Sequence, residues 1–206
     1  MIDKSLLNGL YVLTDATLTP EETILEQMER VLKCGVKVIQ YRDKYASDEA
    51  AEKTCRRLQA LCDLYEAVFI IDDRLELAHR INADGLHVGQ DDVSYEEARA
   101  LLGNDKIIGV SCYGDIARAL HYASLGADYV AFGSFFPSPT KPNSIVVPHT
   151  VLGEAKKVIN VPICAIGGIT PDTIPLLRSY DIAMYSVISA VYKNDTIEEN
   201  IARLLP

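Results

Sequence analysis

Arg42 and Lys44 stand two residues apart in Gln40-Tyr41-Arg42-Asp43-Lys44, a spacing that sends both side chains to one side of an extended chain. Asp72-Asp73-Arg74 and Gln90-Asp91-Asp92 each place acids just after a short apolar run. Paired carboxylates beside two fixed cations suit the handling of a diphosphate with a divalent metal. Mg²⁺ takes oxygen ligands at about 2.1 Å and keeps positions for phosphate oxygens and water. If Asp73 and Asp92 end adjacent strands, ~4.8 Å apart, their carboxylates can share one such ion. Lys141 is a third cation, in a loop where Pro137, Pro139 and Pro142 restrict the chain around it. Prolines there would hold its position before a ligand arrives and so lower the ordering cost of binding.

Each piece has a plainer use. Asp73 could cap a following helix, Arg42 and Lys44 could form exposed ion pairs of little worth, and Gly167-Gly168 could be only a turn. Asp92 is harder to dismiss, because Ser94 and Glu97 already supply a capping box after it. The histidines form no set: His87 falls in an apolar run and reads as packing, His79 and His121 on helices, and His149 near a helix start. With no Ser-His-Asp or Cys-His arrangement, acyl transfer has little support.

The elements that must position these residues repeat. Apolar runs recur at Leu10–Leu13, Val36–Ile39, Val68–Ile71, Gly85–Val88, Ile107–Val110, Tyr129–Phe132, Pro162–Ile166 and Ile182–Ile188. They are rich in Val and Ile, as strands buried on both faces should be. Between them lie helical spacings, with Ile24, Met28, Val31 and Leu32 on one apolar face and Leu58, Leu61, Cys62 and Tyr65 on another. Thr19-Pro20-Glu21-Glu22, Ser94-Tyr95-Glu96-Glu97 and Asp195-Thr196-Ile197-Glu198 predict capped helix starts, and Thr170-Pro171 another. A phrase also repeats, Asn82-Ala83-Asp84-Gly85 against Gly126-Ala127-Asp128-Tyr129.

Eight strand-helix units in one domain over residues 1–206 point to an α/β fold, a single (β/α)₈ TIM barrel, over a doubly wound sheet. Chemistry in such a barrel belongs at the carboxyl ends of the strands. That mouth would gather the residues above with Ser111, Ser138, Ser186 and Ser189. Gly167-Gly168, with the loop after strand eight, would form a monophosphate site of backbone N–H groups, opposite the metal.

The bulk composition is compatible. The chain has 206 residues, 49% hydrophobic and 24% charged. A net charge of −9 argues against a nucleic-acid partner, while local cations within a Debye length of ~8 Å can still hold an anionic small molecule. No apolar run approaches the ~20 residues of a membrane span, and the start lacks the marks of a signal peptide. Five scattered cysteines without a CxxC pair argue against zinc and a disulfide framework. A cytoplasmic location is expected, and a homo-oligomer is left open.

The chain closely resembles the thiamine-phosphate synthase family from Tyr11 to about Tyr192. The matching phrases are YVLTD (11–15), QYRDK (40–44), IIDDR (70–74), DGLHVGQDD (84–92), IGVSCY (108–113), DYVAFGSFFPSPTKPN (128–143), PICAIGGIT (162–170) and SVISAV (186–191). The resemblance implies a transferase that joins hydroxymethylpyrimidine diphosphate to a thiazole monophosphate and releases diphosphate, with Mg²⁺ and a dissociative mechanism. By position it implies that Gln40, Tyr41, Arg42, Asp43, Lys44, Asp72, Ser111 and Lys141 hold the pyrimidine diphosphate, and that Asp73 and Asp92 ligate the metal. It assigns the thiazole phosphate to Ser138, Pro139, Thr140, Gly168, Ile188 and Ser189, and the catalytic burden to Lys141, Arg42, Lys44 and Ser111.

The chain departs from the family at Asp72, where Asn is usual, at Ser138, where Thr is common, and at Ser179-Tyr180 and Tyr185, which put the monophosphate site in question. Two rivals are a related thiazole tautomerase, which carries a histidine where this chain has Ser134, and a non-catalytic barrel that senses or stores a thiamine precursor.

Overall fold

The computed structural model of the chain describes residues 2–138 and 144–205. Eight parallel strands close into a barrel in sequence order, with β8 pairing back to β1. The strands are β1 (Gly9–Leu13), β2 (Val38–Tyr41), β3 (Val68–Asp72), β4 (Gly85–Val88), β5 (Ile107–Tyr113), β6 (Tyr129–Phe132), β7 (Ile163–Ala165) and β8 (Met184–Val187). Helices alternate with them: α1 (Ile24–Lys33), α2 (Asp48–Leu64), α3 (Leu75–Ile81), α4 (Tyr95–Leu102), α5 (Ile116–Leu125), α6 (Val151–Val158) and α7 (Ile174–Arg178). After β8 come the short α8 (Ser189–Tyr192) and α9 (Ile197–Leu204). The expected (β/α)₈ barrel is the observed fold.

Side chains alternate across each strand, so the strands bury two layers. Leu10, Val12, Ile39, Tyr41, Phe69, Ile71, Leu86, Val88, Ile108 and Val110 face outward against the helices. Tyr11, Leu13, Val38, Val68, Ile70, Ile107, Tyr129, Ala131, Cys164 and Met184 fill the interior. Leu7 seals the amino-terminal end, with Ile2 and Leu6 packed against it. The other end is therefore where polar inward positions can open to a ligand.

The repeated phrase is a structural device used twice. Asn82 and Gly126 both end their helices in the left-handed conformation, at φ 57° and 97°. Asp84 Oδ2 then accepts the Phe69 N–H at 2.9 Å, and Asp128 Oδ2 accepts the Ile108 N–H at 2.8 Å. Each aspartate thereby ties the start of its own strand to the start of the preceding one.

Several local expectations need correction. β2 begins at Val38 and runs through Tyr41, two residues later than the apolar run suggests, because Gln40 and Tyr41 are buried and complete the ladder with β3. Only the Ser94/Glu97 capping box forms as expected. Thr19 instead closes a turn with Asp15, whose N–H donates to Thr19 Oγ1 at 3.0 Å, and α1 starts after a further turn. Asp195 turns to Arg30, 2.7 Å away, and α9 starts without a side-chain cap. Thr170-Pro171 opens a turn closed by Thr173, not the helix itself.

Candidate active site at the barrel mouth

A cavity of about 680 Å³ opens at the carboxyl ends of the strands. Gln40, Arg42, Lys44, Asp72, Asp73, Asp92, Ser111, Ser138, Gly168, Ile188 and Ser189 all line it. Inward parity explains the set. Gln40 follows interior Val38 by two residues, Asp72 follows Ile70 by two, and Ser111 continues the alternation from Ile107.

Two predicted residues take other places. Tyr41 points outward into the layer under the helices. Asp43 Oδ1 accepts the N–H groups of Tyr45 and Ala46 at 2.8 and 3.0 Å, which shapes the loop after β2. Neither lines the cavity. Pro139, Thr140 and Lys141 lie outside the described residues.

On one side of the mouth the charges interlock. Arg42 Nε is 3.5 Å from Asp72 Oδ2, and its Nη1 is 3.9 Å from Asp15 Oδ2. Lys44 Nζ lies 3.0 Å from Asp73 Oδ2. Asp73 does not cap α3, whose start at Arg74 has no side-chain cap, and it holds φ at 61°, an uncommon conformation for a residue with a Cβ. The turn brings its carboxyl towards that of Asp92, and each shifts the other's titration. Asp92 Oδ2 also accepts the Gly89 N–H at 2.7 Å. Burial and then the Asp73 carboxylate push the Asp92 carboxyl above its ordinary range. For Asp73 burial acts upward, but Asp92 and Lys44 together outweigh it and hold this carboxyl low. Two neighbouring acids that shift each other in this way mark a point where a cation is favoured. Among the described residues no cluster of three or more His, Cys, Asp or Glu side chains forms a metal site. A pair of carboxylates alone fits a hard ion that draws its remaining ligands from water and substrate oxygens.

On the opposite side the walls are backbone and small side chains. Gly167 and Gly168 hold φ at 93° and 64°. A Cβ on Gly167 would lie 1.9 Å from Ser134 Oγ, and one on Gly168 would lie 2.5 Å from the Pro137 carbonyl oxygen. The loops after β6 and β7 therefore touch, joined by Phe135 N–H to Ile166 O at 3.0 Å and Phe136 N–H to Gly167 O at 3.1 Å. Ser134 gives its hydroxyl to the Phe136 carbonyl at 2.9 Å. Ile188 and Ser189 complete this side at the start of α8. Neither Tyr180 nor Tyr185 lines the cavity: Tyr180 bonds His149 Nδ1 at 2.9 Å and Tyr185 packs in the outer layer.

The floor holds a residue of β4 that the sequence reading took for structural packing, His87. It points into the barrel, lines the cavity, and hydrogen-bonds Ser111 Oγ and Tyr129 Oη, each at 2.8 Å. The signal was available, since Leu86 and Val88 are the outward pair of β4 and leave His87 on the inward parity.

A closed parallel barrel with a cavity at the carboxyl ends of its strands is the arrangement of a (β/α)₈-barrel enzyme. The comparisons narrow the class. A family model described as thiamine monophosphate synthase matches residues 10–191, and the chain belongs to that family of transferases. Its relatives include thiamine-phosphate synthases of Thioalkalivibrio sulfidiphilus, 40% identical over 96% of this chain and 94% of theirs, and of Alcanivorax borkumensis, 43% identical over 90% and 86%. The solved thiamine phosphate pyrophosphorylase of Pyrococcus furiosus superposes with a TM-score of 0.86 at 31% identity, covering 98% of this chain and 95% of that one.

Proposed function

We propose that the protein joins hydroxymethylpyrimidine diphosphate to a thiazole monophosphate, giving thiamine phosphate and free diphosphate. The observation that carries this reading is the division of one cavity into two unlike anion sites. Arg42 and Lys44 beside the Asp73–Asp92 pair suit a diphosphate with its metal. The Gly167-Gly168 loop and the start of α8 suit a monophosphate held by backbone groups.

Asp73 and Asp92 would hold Mg²⁺, which when bound supplies positive charge to diphosphate oxygens. The chain's own cations do the rest. The bond between the pyrimidine methylene carbon and the diphosphate oxygen breaks, and its electron pair leaves with the diphosphate. Arg42 and Lys44 spread that charge, in a mouth preorganised to receive it. Lys141 joins them by position in the sequence. The thiazole nitrogen then donates its lone pair to the methylene carbon and forms the new carbon–nitrogen bond. That nitrogen has no proton to lose, so the step needs no general base. No helix among the described residues is long and apolar enough to cross a membrane, and a cytoplasmic location remains part of the proposal.

The direct test mixes purified protein, both substrates and Mg²⁺, and assays thiamine phosphate with and without EDTA. Metal-dependent product is expected. Folded protein that binds a substrate and makes no product would overturn the reading.

A further inference from the structure

Five inward residues from five strands form one unbroken hydrogen-bonded chain across the cavity floor. Gln40 Nε2 donates to Tyr11 Oη at 2.7 Å, and the Tyr11 and Tyr129 hydroxyls are 2.9 Å apart. Tyr129 Oη lies 2.8 Å from His87 Nδ1, and His87 Nε2 lies 2.8 Å from Ser111 Oγ. Four of the five line the cavity; Tyr129 is wholly buried and does not.

Proton counting gives the chain a direction. A tyrosine hydroxyl and a neutral imidazole each have one proton to donate. Tyr11 already accepts from Gln40, so its own proton goes to the Tyr129 oxygen. Tyr129 then donates to His87 Nδ1, His87 carries its proton on Nε2 and donates to Ser111, and the Ser111 proton turns to the cavity. At the other end, no buried side-chain oxygen lacks a partner among the described residues, and Gln40 Oε1 has no protein partner there. That oxygen therefore meets the cavity. The floor presents an acceptor at Gln40 and a donor at Ser111.

We propose that Tyr129, which touches no part of the cavity, is the positioning residue that locks this pattern, and that the pattern selects a ring bearing an amino group at Gln40 over one bearing an oxo group. The selection rests on the proposed function, in which the ring of the diphosphate substrate lies on this floor. To show its amide N–H to a ligand, Gln40 must turn its oxygen to Tyr11, and all four remaining groups must reverse with it. A partial reversal sets two buried protons, or two lone pairs, against each other, which a buried network tolerates poorly.

Two single-hydroxyl deletions at neighbouring rings separate this lock from general damage to the floor. In Tyr129→Phe the Tyr11 proton loses its acceptor and turns to Gln40, which flips, while His87 Nδ1 loses its donor. In Tyr11→Phe the Tyr129 proton has only His87 to go to, so the imidazole keeps its proton on Nε2. The experiment reads the His87 tautomer by NMR of isotope-labelled imidazole nitrogens. Alongside it, inhibition by unreactive amino- and oxo-pyrimidine diphosphate analogues is compared in each variant. Wild type and Tyr11→Phe are expected to show Nε2–H. Tyr129→Phe is expected to lose that signature, and its preference for the amino ring should fall by about tenfold, the worth of one net hydrogen bond. A wild-type His87 protonated on Nδ1, or a folded Tyr129→Phe protein that keeps both tautomer and preference, would overturn the lock. Wild type that turns over substrate yet binds both analogues equally would overturn the selection alone. Wild type that binds neither analogue would overturn the functional reading with it.

Discussion

Lys44 Nζ lies 3.0 Å from Asp73 Oδ2 at the end of β3, and burial and then the Asp73 carboxylate push the Asp92 carboxyl above its ordinary range. Two mutually perturbing acids stand at the edge of an anion site, and a divalent ion held by both would answer both charges and attract a third group.

Asp92→Asn keeps the shape of the side chain and an acceptor for the Gly89 N–H while removing one of the two charges. The protein should fold normally, and the Mg²⁺ concentration for half-maximal turnover should rise at least tenfold. A Mg²⁺ titration of initial rates checks this. An unchanged titration curve would remove Asp92 from the metal site.

Asp72 sits 3.5 Å from Arg42 Nε, so part of the Arg42 charge is already answered before a diphosphate arrives. Asp72→Asn keeps the side chain's shape and a hydrogen-bond acceptor and releases the guanidinium to the ligand. Activity should be kept, with KM for the diphosphate substrate falling severalfold. A fall in kcat with unchanged folding would show that Asp72 has a task of its own.

Much of this site was legible in the sequence because strand parity and strand-end position are local properties. Gln40, Arg42, Lys44, Asp72, Asp73, Asp92 and Ser111 could all be placed at one mouth once eight strands were counted. What could not be read was direction within the loops. Asp43 has the same chemistry as Asp73, and only the backbone turn decides that one shapes a loop while the other meets Asp92. The His87–Tyr129–Tyr11 chain was missed for a related reason. It joins strands distant in sequence, and buried Tyr and His in apolar runs look like packing until the opposite wall of the barrel is known. Thr19 and Asp195 show the same limit for caps, since a tertiary partner or a turn took the group first.

The two copies of the repeated phrase predict different sensitivities. Asp84 accepts the Phe69 N–H, and burial pushes its carboxyl above the ordinary range. Its charge therefore opposes folding: the contribution is present at pH below the ordinary carboxylate range and is lost as pH rises through the raised value. Asp84→Asn keeps the acceptor without the charge and should change stability by less than about 1 kcal/mol near neutral pH. Asp128 holds Arg99 at 2.7 Å and Lys4 at 2.6 Å as well as the Ile108 N–H. Asp128→Asn should cost about 2 kcal/mol or more, because Arg99 is left largely buried without its counter-charge. Urea unfolding midpoints of the two variants compare them directly; equal midpoints would refute the assignment.

Gly109 is the place where sequence, packing and the floor of the site meet. It pairs with Tyr129 across β5 and β6 and with His87 across β4 and β5. A Cβ there would lie 1.9 Å from the Tyr129 ring, inside any tolerable contact. The missing side chain is what lets the tyrosine lie over β5, stacked on His87 at 5.6 Å and edge-on to Tyr11 at 5.9 Å. A single added methyl must displace that ring, because neighbouring Val130, Ile107 and Cys164 are fully or nearly fully buried and leave no room to give. Gly109→Ala should destabilise the barrel by about 1–3 kcal/mol, read as a lower Tm. Unlike Tyr129→Phe it keeps every hydroxyl, so any change in its preference between amino and oxo rings would come from geometry alone. A Gly109→Ala protein with wild-type Tm would mean that β5 and β6 part more easily than their packing implies.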